Sequence, residues 1–179
     1  MKRYDNAKWD DVPTHLQQAF EAMLAGGKGI YLHGEIGTGK THVVCAMKKH
    51  YDKPGVDTPN GYQSGRSLMM WNVVDLMHEI RSDFDRGNMD KHRSDERIID
   101  YKGVLLLDDL GAEKATEFVA ETLYRIINHR YVNVLPTVFT SNCTLQQLAE
   151  KIGDRSTSRI TEMCNIYELT GKDRRLQKL

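Results

Sequence analysis

Gly34-Glu35-Ile36-Gly37-Thr38-Gly39-Lys40-Thr41 is the stretch that decides the fold of this 179-residue chain. It satisfies Gly-x-x-x-x-Gly-Lys-Thr in full. It stands between a short apolar run, Gly29 to His33, and an amphipathic stretch from Lys40 to about Tyr51 that carries Val43, Val44 and Met47. A strand that feeds a glycine-rich turn and then opens a helix is the context a phosphate cradle requires. The glycines let several backbone N–H groups converge, and the helix N-terminus adds partial positive charge. Gly34, Glu35, Ile36, Gly37, Thr38 and Gly39 are therefore expected to wrap the phosphates of ATP. Lys40 is expected to reach the β- and γ-phosphates, and the Thr41 hydroxyl to ligate Mg²⁺.

Downstream, Val104-Leu105-Leu106-Leu107-Asp108-Asp109 is an uninterrupted apolar run that ends in two carboxylates. The run is that of a parallel strand buried on both faces. Acids at its C-terminal end point into the crevice where such sheets bind ligands. Asp108 fits the holder of the Mg²⁺ shell, and Asp109 the base that polarises an attacking water. Glu is commoner at the second position; Asp is one methylene shorter, a reason to expect a repositioned water or slow hydrolysis.

Working outward, the pattern predicts a helix over Thr14 to Ala25, a strand over Leu68 to Trp71 and a helix from Asn72 to about Phe84. It then predicts a helix over Thr116 to Arg130, a strand over Thr137 to Thr140, a helix from the Thr144/Gln147 capping box to Gly153, and a strand over Ile166 to Leu169. Residues 52–66, rich in Pro, Gly, Asp and Ser, read as a surface loop. Strands and helices alternate, which argues for an α/β fold around a mainly parallel, five-stranded sheet in three layers. One domain is expected over 1–179, with 1–27 as an N-terminal segment and helix and 28–179 as the P-loop core.

The bulk composition narrows the class. Lys and Arg number 25 and so do Asp and Glu, so any nucleic-acid binding must come from a local patch. Cys45, Cys143 and Cys164 have no metal-ligand spacing and read as buried, reduced thiols. No run approaches membrane-spanning length, and no membrane partner and a cytoplasmic setting are expected.

Thr137-Val138-Phe139-Thr140-Ser141-Asn142 reads as a buried strand with a small polar tip. Where such a strand lies beside the P-loop strand, Asn142 can bond the attacking water or the γ-phosphate. Together with Leu106-Asp-Asp-Leu-Gly-Ala-Glu113, Asn128-His-Arg-Tyr131 and Gly34 to Thr41, it makes the chain resemble the ATPase core of DnaC/DnaI-type helicase loaders, within the AAA+ superfamily, and the related IstB-type transposition helpers. The resemblance runs from about residue 10 to residue 175.

What the resemblance implies is specific. Gly153-Asp-Arg-Ser-Thr-Ser-Arg159-Ile160 is similar to the segment carrying an arginine finger that completes a neighbouring subunit's site; Arg159 is favoured and Arg155 held in reserve. Gly171-Lys-Asp-Arg-Arg175 is similar to the region whose arginine reads the γ-phosphate in cis, with Arg175 favoured over Arg174. Implied partners are a replicative hexameric helicase, single-stranded DNA and further copies of the chain. Residues 72–100, with Arg81, Arg86, Lys91, His92, Arg93 and Arg97 among acids, are the zone implied for DNA. Against the resemblance, the partner-gripping N-terminal domain of such loaders is expected to be missing or removed, and no separate C-terminal lid is expected, in keeping with this group. Three rivals stay open: a helper ATPase binding duplex DNA, a small-molecule P-loop kinase, and an adaptor that hardly hydrolyses ATP.

Overall fold

The computed structural model describes residues 2–58, 61–63, 66–85 and 94–171. Two short 3-10 turns, Lys2–Tyr4 and Trp9–Asp11, lead into α1 (Thr14–Leu24). There follow β1 (Gly29–His33), α2 (Lys40–Tyr51), β2 (Val56–Thr58), β3 (Gly61–Gln63), β4 (Met69–Asn72), α3 (Val73–Asp85), α4 (Ser94–Asp100) and β5 (Leu105–Leu110). The chain continues through α5 (Glu117–Val132), β6 (Thr137–Ser141), α6 (Leu145–Ile152), α7 (Asp154–Met163) and β7 (Cys164–Glu168). Among these residues no helix is long and apolar enough to cross a membrane.

Five strands form one sheet in the order β4-β5-β6-β1-β7, every neighbouring pair parallel. Period-2 alternation assigns each strand's side chains to two cores. Tyr31, Leu105, Leu107 and Phe139 join one with Leu76, Ile80, Leu123, Ile126, Leu148 and Ile160 from α3, α5, α6 and α7. Ile30, Leu32, Leu106 and Val138 join the other with Leu16, Phe20, Val43, Val44 and Met47 from α1 and α2. Both faces of the central strands are thus buried, which is why they read as unbroken apolar runs. The crossover from β1 to β5 and back to β6 brings β6 between the other two. The polar tip of β6 therefore lies between the P-loop and Asp108-Asp109.

Local chemistry closes the elements where expected in several places. The α6 capping box is present: Gln147 N–H donates to Thr144 Oγ1 at 3.3 Å and Thr144 N–H to Gln147 Oε1 at 2.9 Å. The Asp-Asp-Leu-Gly-Ala-Glu turn is held by Glu113, which accepts the Gly111 N–H at 3.0 Å while Lys151 donates to the Gly111 carbonyl. Gly111 has φ +83°, and a Cβ there would also meet Leu148 Cδ1 at 3.0 Å. Cys45, Cys143 and Cys164 are all buried.

Two expectations change, and two helices appear where the pattern predicts no element. The stretch read as a loop at 52–66 contains an antiparallel pair, β2 with β3, extended by the bridge Lys53 to Arg66. The last strand begins at Cys164 rather than Ile166; as an edge strand it packs on one side only, and its apolar residues do not mark its start. The charged tract before Val104 ends in α4, where Asp95 is 1% exposed and meets Arg125 Nη1 at 3.2 Å. Ile98 is buried in the core and Ile99 packs against it, but one apolar pair in a charged tract is too short a period to announce a helix. The polar run after Gly153 is α7, which buries Ser156 and Thr157 beside Ile160. Small polar residues let it lie close to its neighbours without an apolar stripe.

Candidate functional site

The C-terminal ends of β1, β4, β5 and β6 open on one cleft of about 710 Å³, within the roughly 300–1,000 Å³ of small-molecule sites. Ile36, Gly37, Gly39, Lys40, Thr41, Asp108, Asp109 and Asn142 all line it. Residues about a hundred positions apart are gathered because each ends a strand of one parallel sheet.

The P-loop takes the predicted form. Gly34, Gly37 and Gly39 have φ of +150°, +87° and +101°. At Gly34 a Cβ would sit 2.2 Å from the Leu169 carbonyl oxygen, so only glycine fits against the chain leaving β7. Gly39, in the left-handed region, caps α2. Thr38 Oγ1 donates to the Glu35 carbonyl at 2.9 Å and holds the turn closed. Lys40 is 4% exposed, and its ammonium donates to the carbonyls of Gly34 at 2.8 Å and Glu35 at 2.7 Å. These carbonyl contacts keep the charge in the cradle, where a phosphate can exchange for them.

Asp108 is 1% exposed at the floor of the cleft. Thr41 Oγ1 donates to its Oδ2 at 3.1 Å and Thr140 Oγ1 to its Oδ1 at 2.6 Å. Burial pushes its carboxyl from 3.8 up to about 6, helped by the charge of Asp109 and opposed by the two hydroxyls and Lys40. A carboxylate set against the Thr41 hydroxyl, with one face towards a phosphate cradle, is a hard-oxygen pair suited to Mg²⁺ with its waters. Among the described residues there is no cluster of three or more His, Cys, Asp or Glu that could hold a metal by themselves. The fit is to an ion that arrives with phosphate ligands.

Asp109 stands at φ +61°, one of the described non-glycine residues in the left-handed region. Its N–H donates to Thr140 Oγ1 at 2.9 Å, so one hydroxyl ties the backbone of Asp109 to the carboxylate of Asp108. Asn72 Nδ2 reaches Asp109 Oδ2 at 3.4 Å. Asp tolerates this backbone better than Glu, which gives a physical reason for the shorter acid here.

Thr140 and Asn72 were not singled out as site residues from sequence. The signal for Asn72 was its place at the end of an apolar strand; it pairs in register with Asp108. Arg3, Tyr4, Asn6, His42 and Asp75 also line the cleft. Arg3 and Tyr4 belong to the first 3-10 turn and Asn6 follows it; Lys49 Nζ anchors this segment by donating to the carbonyls of Tyr4 at 2.9 Å and Asp5 at 2.6 Å. Trp9, the aromatic ahead of the first helix, lies elsewhere, stacked on His50 at 3.9 Å between ring centres.

Arg159 is not among the residues lining the cleft; it lies on α7 against α5. Arg155, in the first turn of α7, is exposed. Arg174 and Arg175 lie outside the described residues, as do Arg86, Lys91, His92 and Arg93. Arg97 is exposed, and Arg81, also exposed, lies over the Phe118 ring at 5.3 Å.

Against known families, residues 19–179 match the model described as IstB-like ATP binding protein. The chain belongs to the IstB-like ATP-binding family. Its relatives include the uncharacterized protein YqaM of Bacillus subtilis (strain 168), 28% identical over 97% of this chain and 56% of that one. The replicative helicase loader DnaI of the same organism is 28% identical over 68% of this chain and 35% of its own length. An ATP-binding protein of an insertion sequence in Mycobacterium tuberculosis (strain ATCC 25618 / H37Rv), Rv3427c, is 31% identical over 66% and 42%. The chain thus spans about half or less of these curated relatives. Among solved structures, the DnaC helicase loader matches at TM-score 0.72 and 25% identity, over 95% of this chain and all of that one. DnaI matches at 0.71 and 26%, over 97% and 93%. The fold is the AAA+ P-loop fold.

The raised carboxyl of Asp108 yields a testable sign. A folded-state pKa above the unfolded value means that the folded protein holds this proton more tightly. The stabilisation is full below 3.8 and is lost as pH rises through about 6. At neutral pH the buried charge costs on the order of 2–3 kcal/mol. Asp108→Asn should therefore raise the melting temperature of the nucleotide-free protein by about 5 °C near pH 8, and by about half as much near pH 5. Thermal melts at both pH values check this; a lower melting temperature for the variant near pH 8 would contradict it.

Proposed function

We propose that this chain binds and hydrolyses ATP with Mg²⁺ as one AAA+ domain, and that assembly on single-stranded DNA controls turnover in the service of loading a replicative hexameric helicase. The observation that carries the reading is the convergence of Lys40, Thr41, Asp108, Asp109 and Asn142 on one cleft while Arg159 stays outside it. The likeness to the DnaC loader over the whole of that structure supports the partner and the DNA. A cytoplasmic setting belongs to the same reading.

The P-loop N–H groups and the α2 N-terminus receive the β- and γ-phosphates, and Lys40 moves from the loop carbonyls to them. Thr41 and Asp108 would hold Mg²⁺, which would neutralise charge on the phosphates. Asp109 orients the attacking water and accepts its proton, and Asn142 holds that water or the γ-phosphate. Arg175, or Arg174, reads the γ-phosphate in cis. Arg159 reaches the γ-phosphate of a neighbouring copy, so the site is complete only in an assembly.

A second reading is a transposition helper acting on duplex DNA. The likeness to Rv3427c, a protein named for an insertion sequence, favours it. A weakly hydrolysing, nucleotide-dependent adaptor is a third, kept by the short acid at position 109. ATP turnover measured alone, with single-stranded DNA and with duplex separates them. Stimulation by single strands at least about tenfold is the expected outcome; stimulation by duplex alone selects the helper, and no turnover under any condition selects the adaptor. Arg159→Ala and Asp109→Asn should each be inactive, and an equimolar mixture should recover turnover. Wild-type turnover in Arg159→Ala under assembling conditions would overturn the trans assignment.

A further inference from the structure

Asn128-His-Arg-Tyr131 is part of what links this sequence to its family, yet none of its residues lines the nucleotide cleft. Two of them meet Arg159. Arg159 Nε donates to Asn128 Oδ1 at 2.8 Å, Nη1 to the Arg155 carbonyl at 2.9 Å and Nη2 to the Tyr124 hydroxyl at 3.2 Å. The guanidinium lies over two rings, 4.9 Å from the centre of Tyr124 and 5.7 Å from that of Tyr131. Residues 124, 128 and 131 follow the spacing of one face of α5, so a single helix supplies the side chains that hold it.

Each of these partners is neutral. A guanidinium has five N–H donors and three are used, which leaves two directed elsewhere. Glu162, three residues along α7, turns its carboxylate to the Tyr131 hydroxyl, whose ionisation it opposes. A surface arginine is usually dispersed over rotamers or cancelled by an acid. Here aromatic faces and an amide restrict its rotamers without cancelling its charge. A cation held in one place with its field intact is preorganised for an incoming anion, because the entropy of ordering has been met before the anion arrives.

We infer that Asn128, with Tyr124 and Tyr131, is a positioning residue that presents the charge of Arg159 to the γ-phosphate of a neighbouring copy. The inference rests on the trans role of Arg159 proposed above and adds the device that makes it work. Asn128→Asp is the discriminating variant. It keeps the accepting oxygen and the shape, so Arg159 stays in place, but it sets a carboxylate against the guanidinium.

The experiment is steady-state ATP turnover with single-stranded DNA for wild type, Asn128→Asp, Asn128→Ala, Arg159→Ala and Asp109→Asn, with thermal melts of each. Asn128→Asp is expected to melt at or above wild type, keep its KM for ATP and lose at least about tenfold in kcat. Asn128→Ala should fall similarly in kcat. Mixed with Asp109→Asn subunits, which keep a normal Arg159, Asn128→Asp should recover turnover above either alone. Wild-type kcat in both Asn128 variants while Arg159→Ala is inactive would overturn the positioning role and leave the trans arginine standing. A kcat loss in the Asn128 variants that tracks a lower melting temperature and is not recovered on mixing would also overturn it, by reducing Asn128 to a structural contact. Wild-type turnover in Arg159→Ala would remove both.

Discussion

Lys40→Ala is expected to abolish ATP binding and turnover with the fold intact. The ammonium is buried in the P-loop and held by the carbonyls of Gly34 and Glu35, inside the same cleft as Thr41, Asp108 and Asp109. Charge-assisted contacts to two phosphates contribute about 3 kcal/mol or more, so affinity should fall by roughly a hundredfold or more. Nucleotide at about a hundred times its Kd should raise the wild-type melting temperature by about 5–10 °C, because it stabilises the folded state by about 2.7 kcal/mol. In the variant that rise should vanish while the nucleotide-free melt stays within a few degrees of wild type. A full nucleotide-dependent rise in Lys40→Ala would show that the cleft is not where ATP binds.

Arg130→Met is expected to cause the largest loss of stability of any single change considered. Arg130 is 0% exposed and is the largest fully buried side chain among the described residues. Its Nε donates to Thr137 Oγ1 at 2.7 Å, Nη1 to the Tyr101 carbonyl at 2.9 Å, and Nη2 to the carbonyls of Gly103 at 2.8 Å and Pro136 at 2.9 Å. These groups lie at the entries to β5 and β6, the two strands that carry Asp108-Asp109 and Asn142. Burial pushes the guanidinium down to about 10, and it is still charged at neutral pH. Removing it strands several buried acceptors at once, at a combined cost of about 3–5 kcal/mol. The melting temperature should drop by about 10–15 °C. Arg130→Lys, with three donors on one atom, cannot span the same acceptors and should recover only part of the loss. A melt of Arg130→Met within about 2 °C of wild type would refute the assignment.

Arg130 and Arg159 look alike in sequence: each is a basic residue among polar neighbours. One is a buried knot that joins two strand entries, the other a half-buried cation resting on tyrosine rings. What separates them is which acceptors surround each one, and those come from segments as distant as Tyr101 and Gly103 for Arg130. The same limit hid α4, whose Ser94 and Asp95 are buried because Asp83 and Arg125 meet them. It hid Asn72 as well, which becomes part of the cleft only by lying in register with Asp108.

The sequence by itself determined the phosphate cradle, the acidic strand end, the alternation of strands and helices and the parallel sheet. Each of these is a local property: glycine spacing, an apolar run ended by acid, a period of two or of 3.6 residues. The tertiary structure alone decided that Thr140 joins Asp108 to Asp109, that burial drives the Asp108 carboxyl upward, and that Arg159 rests on α5 rather than in the cleft. The reason is physical. Hydrogen-bond partners and desolvation depend on distances between segments remote in the chain, and strand order sets those distances.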